Sequence, residues 1–179
     1  MFKKVLSLDQ ALNLTGFAIY NDKELILHGV FNLKDIKLDN PAKGSNSNKN
    51  NPVQEKISNI KNFLEKIIID YEIDFVVLED IQSQVNINTF KQLSWLQGVL
   101  INFLYEHKVC HLVLKPSEWR SIIGVKGRKR VEQKLSARNK VCELFSKDVS
   151  EDEADAILIG LASITAKGKF DSKIVQDFL

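Results

Sequence analysis

Asp74-Phe75-Val76-Val77-Leu78-Glu79-Asp80 is the stretch on which the fold turns. Its apolar centre is rich in strand formers and acids bound it on both sides, so it reads as a β-strand. Ahead of it, Ile57, Ile60, Phe63, Leu64, Ile67 and Ile68 recur at helical spacing between Val53 and Tyr71, which predicts an amphipathic helix packed on a sheet. A strand reached through such a helix is expected to return parallel to the first strand. That first strand is Val5-Leu6-Ser7-Leu8-Asp9, followed by a turn region from Gln10 to Leu14. Thr15 to Tyr20 reads as a second strand, Asn21-Asp22 as a hairpin turn and Glu24 to Phe31 as a third, an antiparallel meander. Beyond the quoted stretch, a helix is expected from about Asn88 to His107, then a fifth strand from Val109 to Leu114, stopped by Lys115-Pro116. Ser117-Glu118-Trp119-Arg120 opens a short helix, and a last apolar helix runs from Ser150 to Ala166. The expectation is one α/β domain over residues 1–179, with a five-stranded mixed sheet whose first three strands are antiparallel, flanked by helices.

Hydrophobic residues make up 44% of the chain and charged residues 27%, the balance of a water-soluble domain with a sizeable core. A net charge of +2 is too small to announce a nucleic-acid partner, so such an argument must rest on where charge lies. Cys110 and Cys142 lack metal-ligand spacing and fall in apolar patterns, which predicts buried, reduced thiols. The N-terminus lacks the apolar run of a signal peptide and no window reaches the roughly 20 apolar residues of a membrane span. A cytoplasmic protein without membrane contact is expected. Between Leu33 and Pro52 an Asn, Lys, Ser and Gly-rich segment reads as a surface loop, or as one ordering on a polyanion through Lys43 and Lys49. The helix near Asn88 to His107 is apolar on more than one side, so Trp95 either fills a core or faces another subunit. His28, His107 and His111 have no spacing that suggests chemistry.

The acids are placed more tellingly. Asp9 ends the first strand and Glu79 the fourth, and parallel pairing would bring those ends together. In Ser150-Glu151-Asp152-Glu153-Ala154-Asp155-Ala156, Ser150 and Glu153 fit a capping box, while Asp152 and Asp155 share one helix face beside two small alanines. Four clustered carboxylates would repel and raise one another's pKa unless a cation sat among them. Oxygen donors without His or Cys suit Mg²⁺ or Mn²⁺, and two such ions about 4 Å apart can hydrolyse a phosphodiester. From Lys126 to Lys140 there are seven basic residues against one acid, fed by the loop Gly124-Val125-Lys126-Gly127. Lys126, Arg128, Lys129, Arg130, Lys134 and Arg138 are therefore candidate DNA contacts, the alternative being a solvated helix face.

Leu8-Asp9 with Thr15-Gly16-Phe17-Ala18, then Val77-Leu78-Glu79, then Asp152-Glu153-Ala154-Asp155-Ala156 resemble, in that order, the motifs of the RuvC family of Holliday junction resolvases. That family lies in the ribonuclease H-like (retroviral-integrase-like) superfamily. The resemblance implies a homodimer making paired, Mg²⁺-dependent nicks in four-way DNA, with Asp9, Glu79, Asp152 and Asp155 as metal-binding catalytic residues and two ions per site. It also implies that the helix near Asn88 serves dimerisation. Where the bacterial family places an aromatic three residues after the glutamate, this chain has Gln82; the segment from Leu33 to Pro52 and the run from Trp119 to Arg128 also depart from the bacterial pattern and resemble phage-type members. Two other readings stand beside this one: a nuclease of the same fold acting on other branched DNA or RNA–DNA hybrid, and a non-catalytic junction-binding protein. The strand-turn from Asp9 to Gly16 is also loosely similar to that of actin-like sugar kinases, whose second domain has no room here.

Overall fold

Five strands form one sheet in the computed structural model, which describes residues 2–33, 52–82, 86–166 and 168–176. They are β1 (Lys4–Asp9), β2 (Leu14–Asn21), β3 (Glu24–Asn32), β4 (Phe75–Glu79) and β5 (Cys110–Leu114). The sheet order is β3-β2-β1-β4-β5. β1 to β3 pair antiparallel, whereas β4 runs parallel to β1 and β5 parallel to β4. The mixed sheet is thus as expected. The hairpin turn is one residue later than Asn21-Asp22, because Asn21 stays in register with both Lys4 and Glu24 and leaves Asp22, at φ 54°, to make the turn.

Period-two alternation sorts the strands onto two helical layers. Leu6, Leu8, Val76 and Leu78 face α1 (Val53–Tyr71) and α2 (Ile87–Glu106), burying Leu64, Leu96 and Leu100 against them. Val5, Phe75 and Val77 face the other way, toward α3 (Pro116–Ile123), α4 (Arg130–Phe145) and α5 (Glu151–Thr165). The odd-numbered positions Ser7, Asp9 and Glu79 share that second face. Ser7 Oγ donates to the Ala156 carbonyl at 2.7 Å and Tyr20 Oη to that of Ile157 at 2.7 Å, fastening α5 to the sheet. Burial pushes the Tyr20 phenol upward, so it stays a donor.

α2 buries Leu96, Leu100, Phe103 and Leu104 but leaves Trp95 45% and Val99 40% exposed, so Trp95 is not a core residue of this chain. Both cysteines are free, as expected, but neither is buried: Cys142 is exposed because α4 buries little beyond Ala137 and Val141, and Cys110, the first residue of β5, is only partly covered. After α5, Phe170 is buried and Val175 exchanges backbone hydrogen bonds with His111, covering the edge of β5. Phe178 and Leu179 lie outside the described residues, as does most of the segment from Leu33 to Pro52. No described helix is long and apolar enough to cross a membrane.

Candidate active site: carboxylates around a lysine

Leu8 and Leu78 are partners in the parallel β1/β4 pair, so Asp9 and Glu79 emerge one step further along, at adjoining strand ends and on the α5 side. Thr15 Oγ1 donates to the Ala11 carbonyl at 2.9 Å, closing the turn that follows Asp9. Asp9 is paired with Gly16 across β1/β2, and a Cβ built on Gly16 would come within 2.0 Å of the Asp152 carbonyl. The first turn of α5 therefore lies directly on the strand beside Asp9. Within that turn Glu153 accepts from the Ser150 backbone at 3.0 Å and approaches His28 Nδ1 at 3.1 Å, while Ser150 Oγ accepts from the Glu153 N–H at 3.3 Å. Capping thus falls to Ser150 and Glu153 and leaves Asp152 and Asp155 facing the site.

Asp9, Glu79, Asp152 and Asp155 line one pocket of about 260 Å³. Burial raises Asp9 well above the usual carboxylate value, and repulsion from Glu79 and Asp155 adds to it. Burial likewise raises Glu79 and Asp155, opposed at Glu79 chiefly by a hydrogen bond and at Asp155 by a lysine. The hydrogen bond comes from Trp119, fully buried in α3, whose indole Nε1–H donates to Glu79 Oε1 at 2.7 Å. Arg120 stands 4.0 Å from the same oxygen and stacks on the Trp119 ring at 5.0 Å. The lysine is Lys134 of α4, 2.9 Å from Asp155 and 3.7 Å from Asp152.

The sequence offers no pattern that marks Trp119 or Arg120, yet sheet pairing explains both. Glu79 is partnered with Leu114, and α3 starts two residues later, so its first turn lands beside Glu79.

The basic run divides. Lys134 lies inside the carboxylate pocket and Arg130 lines it, whereas Arg138 pairs with Asp148 at 2.9 Å. Lys126, Arg128 and Lys129 sit on an exposed loop at the start of α4. The glycines there do not open the backbone to a phosphate: the Arg128 and Lys129 N–H groups donate to Glu132, at 2.8 Å and 3.2 Å, and the Lys126 N–H to Ser136 Oγ at 2.9 Å. Gly127, at φ 135°, packs so tightly that a Cβ would meet the Gln133 backbone at 2.7 Å. The loop is stapled to α4 through these three N–H groups.

Among the described residues no three Asp, Glu, His or Cys side chains stand ready to hold a metal together. The donor chemistry nevertheless suits a hard divalent ion. The pocket gathers carboxylate oxygens that raise one another's pKa, and Gln10 adds a buried Oε1 that accepts no hydrogen bond while its Nε2 is held by the Glu79 carbonyl.

The chain matches the family described as crossover junction endodeoxyribonuclease RuvC over residues 5–163. The protein of that name from Rickettsia prowazekii (strain Madrid E) is 21% identical over 164 residues, 91% of this chain and 98% of the relative. Thermus thermophilus RuvC in complex with a Holliday junction substrate shares the fold at TM-score 0.68 and 14% identity, over 96% of this chain and 99% of that one. Fowlpox virus resolvase, solved with Holliday junction DNA, does so at TM-score 0.54 and 16% identity, over 91% and 97%. These neighbours show the ribonuclease H-like fold, and the family match runs from β1 almost to the end of α5. The chain therefore belongs to the RuvC family of crossover junction endodeoxyribonucleases.

Proposed function

We propose that this protein resolves four-way DNA junctions by paired, metal-dependent phosphodiester hydrolysis, with Asp9, Glu79, Asp152 and Asp155 as the catalytic, metal-holding tetrad of a single domain. The supporting observation is that four carboxylates from three distant parts of the sequence line one pocket, with Arg120 and Arg130 beside them. Two bound Mg²⁺ or Mn²⁺ ions would supply an activated water and a counter-charge for the leaving oxygen. Trp119 holds Glu79 in orientation through its indole N–H. Arg120 and Arg130 give the pocket guanidinium donors matched to a phosphate. Gln82 lines the same pocket in place of the family's aromatic, so it offers hydrogen bonds and no stacking surface. The protein acts, in this reading, in the cytoplasm of a bacterial or phage-infected cell. A strand-labelled four-way junction should be nicked in Mg²⁺ much faster than a linear duplex of the same sequence. Equal rates on linear duplex, flap or hybrid would instead make it a broader nuclease of the same fold.

The exposed Lys126, Arg128 and Lys129, with Arg130, are proposed to meet DNA phosphates. Replacing Arg128 and Arg130 together with Ala should weaken junction binding and reduce the slope of log affinity against log salt by about two. An unchanged slope would leave that loop a solvated surface.

A homodimer is proposed through α2. Trp95, Val99, Phe103 and Ile57 line an open groove of about 940 Å³ between α1 and α2, on the layer opposite α5. An exposed Trp beside small and apolar neighbours is the usual anchor of such a contact. Sedimentation at micromolar concentration should give twice the chain mass of 20.4 kDa; the single mass would reject the dimer.

A further inference from the structure

α4 is mostly a solvent-facing helix, yet it sends one cation inward. The Lys134 side chain is 12% exposed, with Nζ 2.9 Å from Asp155 Oδ2, 3.7 Å from Asp152 Oδ1 and 4.0 Å from Glu151 Oε2. Its neighbours behave differently: Arg138 and Lys140 pair on the outside with Asp148 and Glu143. Withdrawing an ammonium from water is unfavourable unless other charges compensate it. Here the compensation is mutual, because the ammonium also relieves repulsion among carboxylates that are otherwise buried together. A single positive charge thus stands where the same oxygens would hold a divalent ion. A divalent ion drawing on Asp155 and Asp152 would be repelled by the ammonium and would find Asp155 Oδ2 already engaged at 2.9 Å.

We propose that Lys134 is a tethered competitor for the metal: its ammonium occupies the cation position of the metal-free protein and must leave Asp155 and Asp152 before a divalent ion binds. The inference rests on the metal-holding reading of the tetrad. The four-carbon stem permits the exchange without unfolding α4, because the helix stays anchored by Ala137 and Val141. The lysine therefore keeps the site ordered without metal and holds metal affinity down.

The test is Mn²⁺ binding to the full chain without DNA, followed by the electron paramagnetic resonance of the free ion. Lys134→Met, which keeps the stem and removes the charge, should bind Mn²⁺ about tenfold more tightly than wild type, within the usual range of coupled sites. Lys134→Arg should stay near wild type. Metal-free Lys134→Met should melt below wild type at neutral pH and recover more on adding Mn²⁺. If Lys134→Met does not fold, Lys134→Gln carries the same expectation. Equal or weaker Mn²⁺ binding by a folded, uncharged variant overturns the competitor role. Mn²⁺ binding that is the same in wild type and Asp9→Asn overturns the metal-holding reading itself, and the competitor role with it.

Discussion

Asp9→Asn is expected to lower junction cleavage in Mg²⁺ at least about a thousandfold, and to raise the melting temperature of the metal-free protein at neutral pH. Both follow from the position of Asp9 at the end of β1. Asn keeps the shape but supplies one neutral oxygen in place of a charged carboxylate, so a hard cation loses its charge partner there. The stability gain comes from the same charge. Asp9 is raised well above its usual value of 3.8, first by burial and then by Glu79 and Asp155, against the pull of Lys134. A carboxyl raised on folding binds more protons in the native state, so its ionisation opposes folding as pH rises from its unfolded value through its folded one. The advantage of Asp9→Asn should therefore be absent near pH 4 and below and grow as pH rises above that. Each kcal/mol relieved should appear as about 2–4 °C in a chain of this size. Melting curves against pH in a chelator check the stability and cleavage in Mg²⁺ the chemistry, while junction binding in Ca²⁺ should stay near wild type. Persistent nicking by Asp9→Asn would refute the tetrad; a lower melting temperature at neutral pH would mean Asp9 is a structural group.

The second large effect is at Gly16. A Cβ there would stand 2.0 Å from the Asp152 carbonyl oxygen and 2.6 Å from its carbon, and neither is the movable end of a side chain. Gly16→Ala must push β2 and the first turn of α5 apart. Overpacking of this kind costs about 1–3 kcal/mol, and with Val in place of Ala the fold should be lost near physiological temperature. Cleavage by Gly16→Ala should fall even where the protein remains fully folded, because the shift carries Asp152 and Asp155 away from Asp9, the residue paired with Gly16. The variant should melt about 2–4 °C lower for each kcal/mol lost and nick slowly well below its melting temperature. A folded Gly16→Ala with wild-type cleavage would show that close packing of β2 on α5 does not set the carboxylate spacing.

Local pattern carried much of this fold. The bounds of α1, the acids at the ends of β1 and β4, and the helix that begins after Ser150 all follow from periodicity and capping, because those signals depend on neighbours a few residues apart. Where interactions were longer in range, local reading fell short. Cys142 fits a helical pattern but points to solvent, since little packs on α4. Lys134 is indistinguishable in sequence from Arg138 four residues on, yet one turn of helix separates a buried ion pair from an exposed one.

The sequence by itself determined a mixed five-stranded sheet and four carboxylates whose chain positions could converge, because strand period, helix period and parallel return are local or topological rules. Only the tertiary structure decided that Trp119 would hold Glu79, that Lys134 rather than its basic neighbours would enter the pocket, and that Gly16 would carry α5. Those outcomes depend on which side chains meet across elements far apart in the chain, and the depth of packing that selects them is not encoded in the spacing of residues along it.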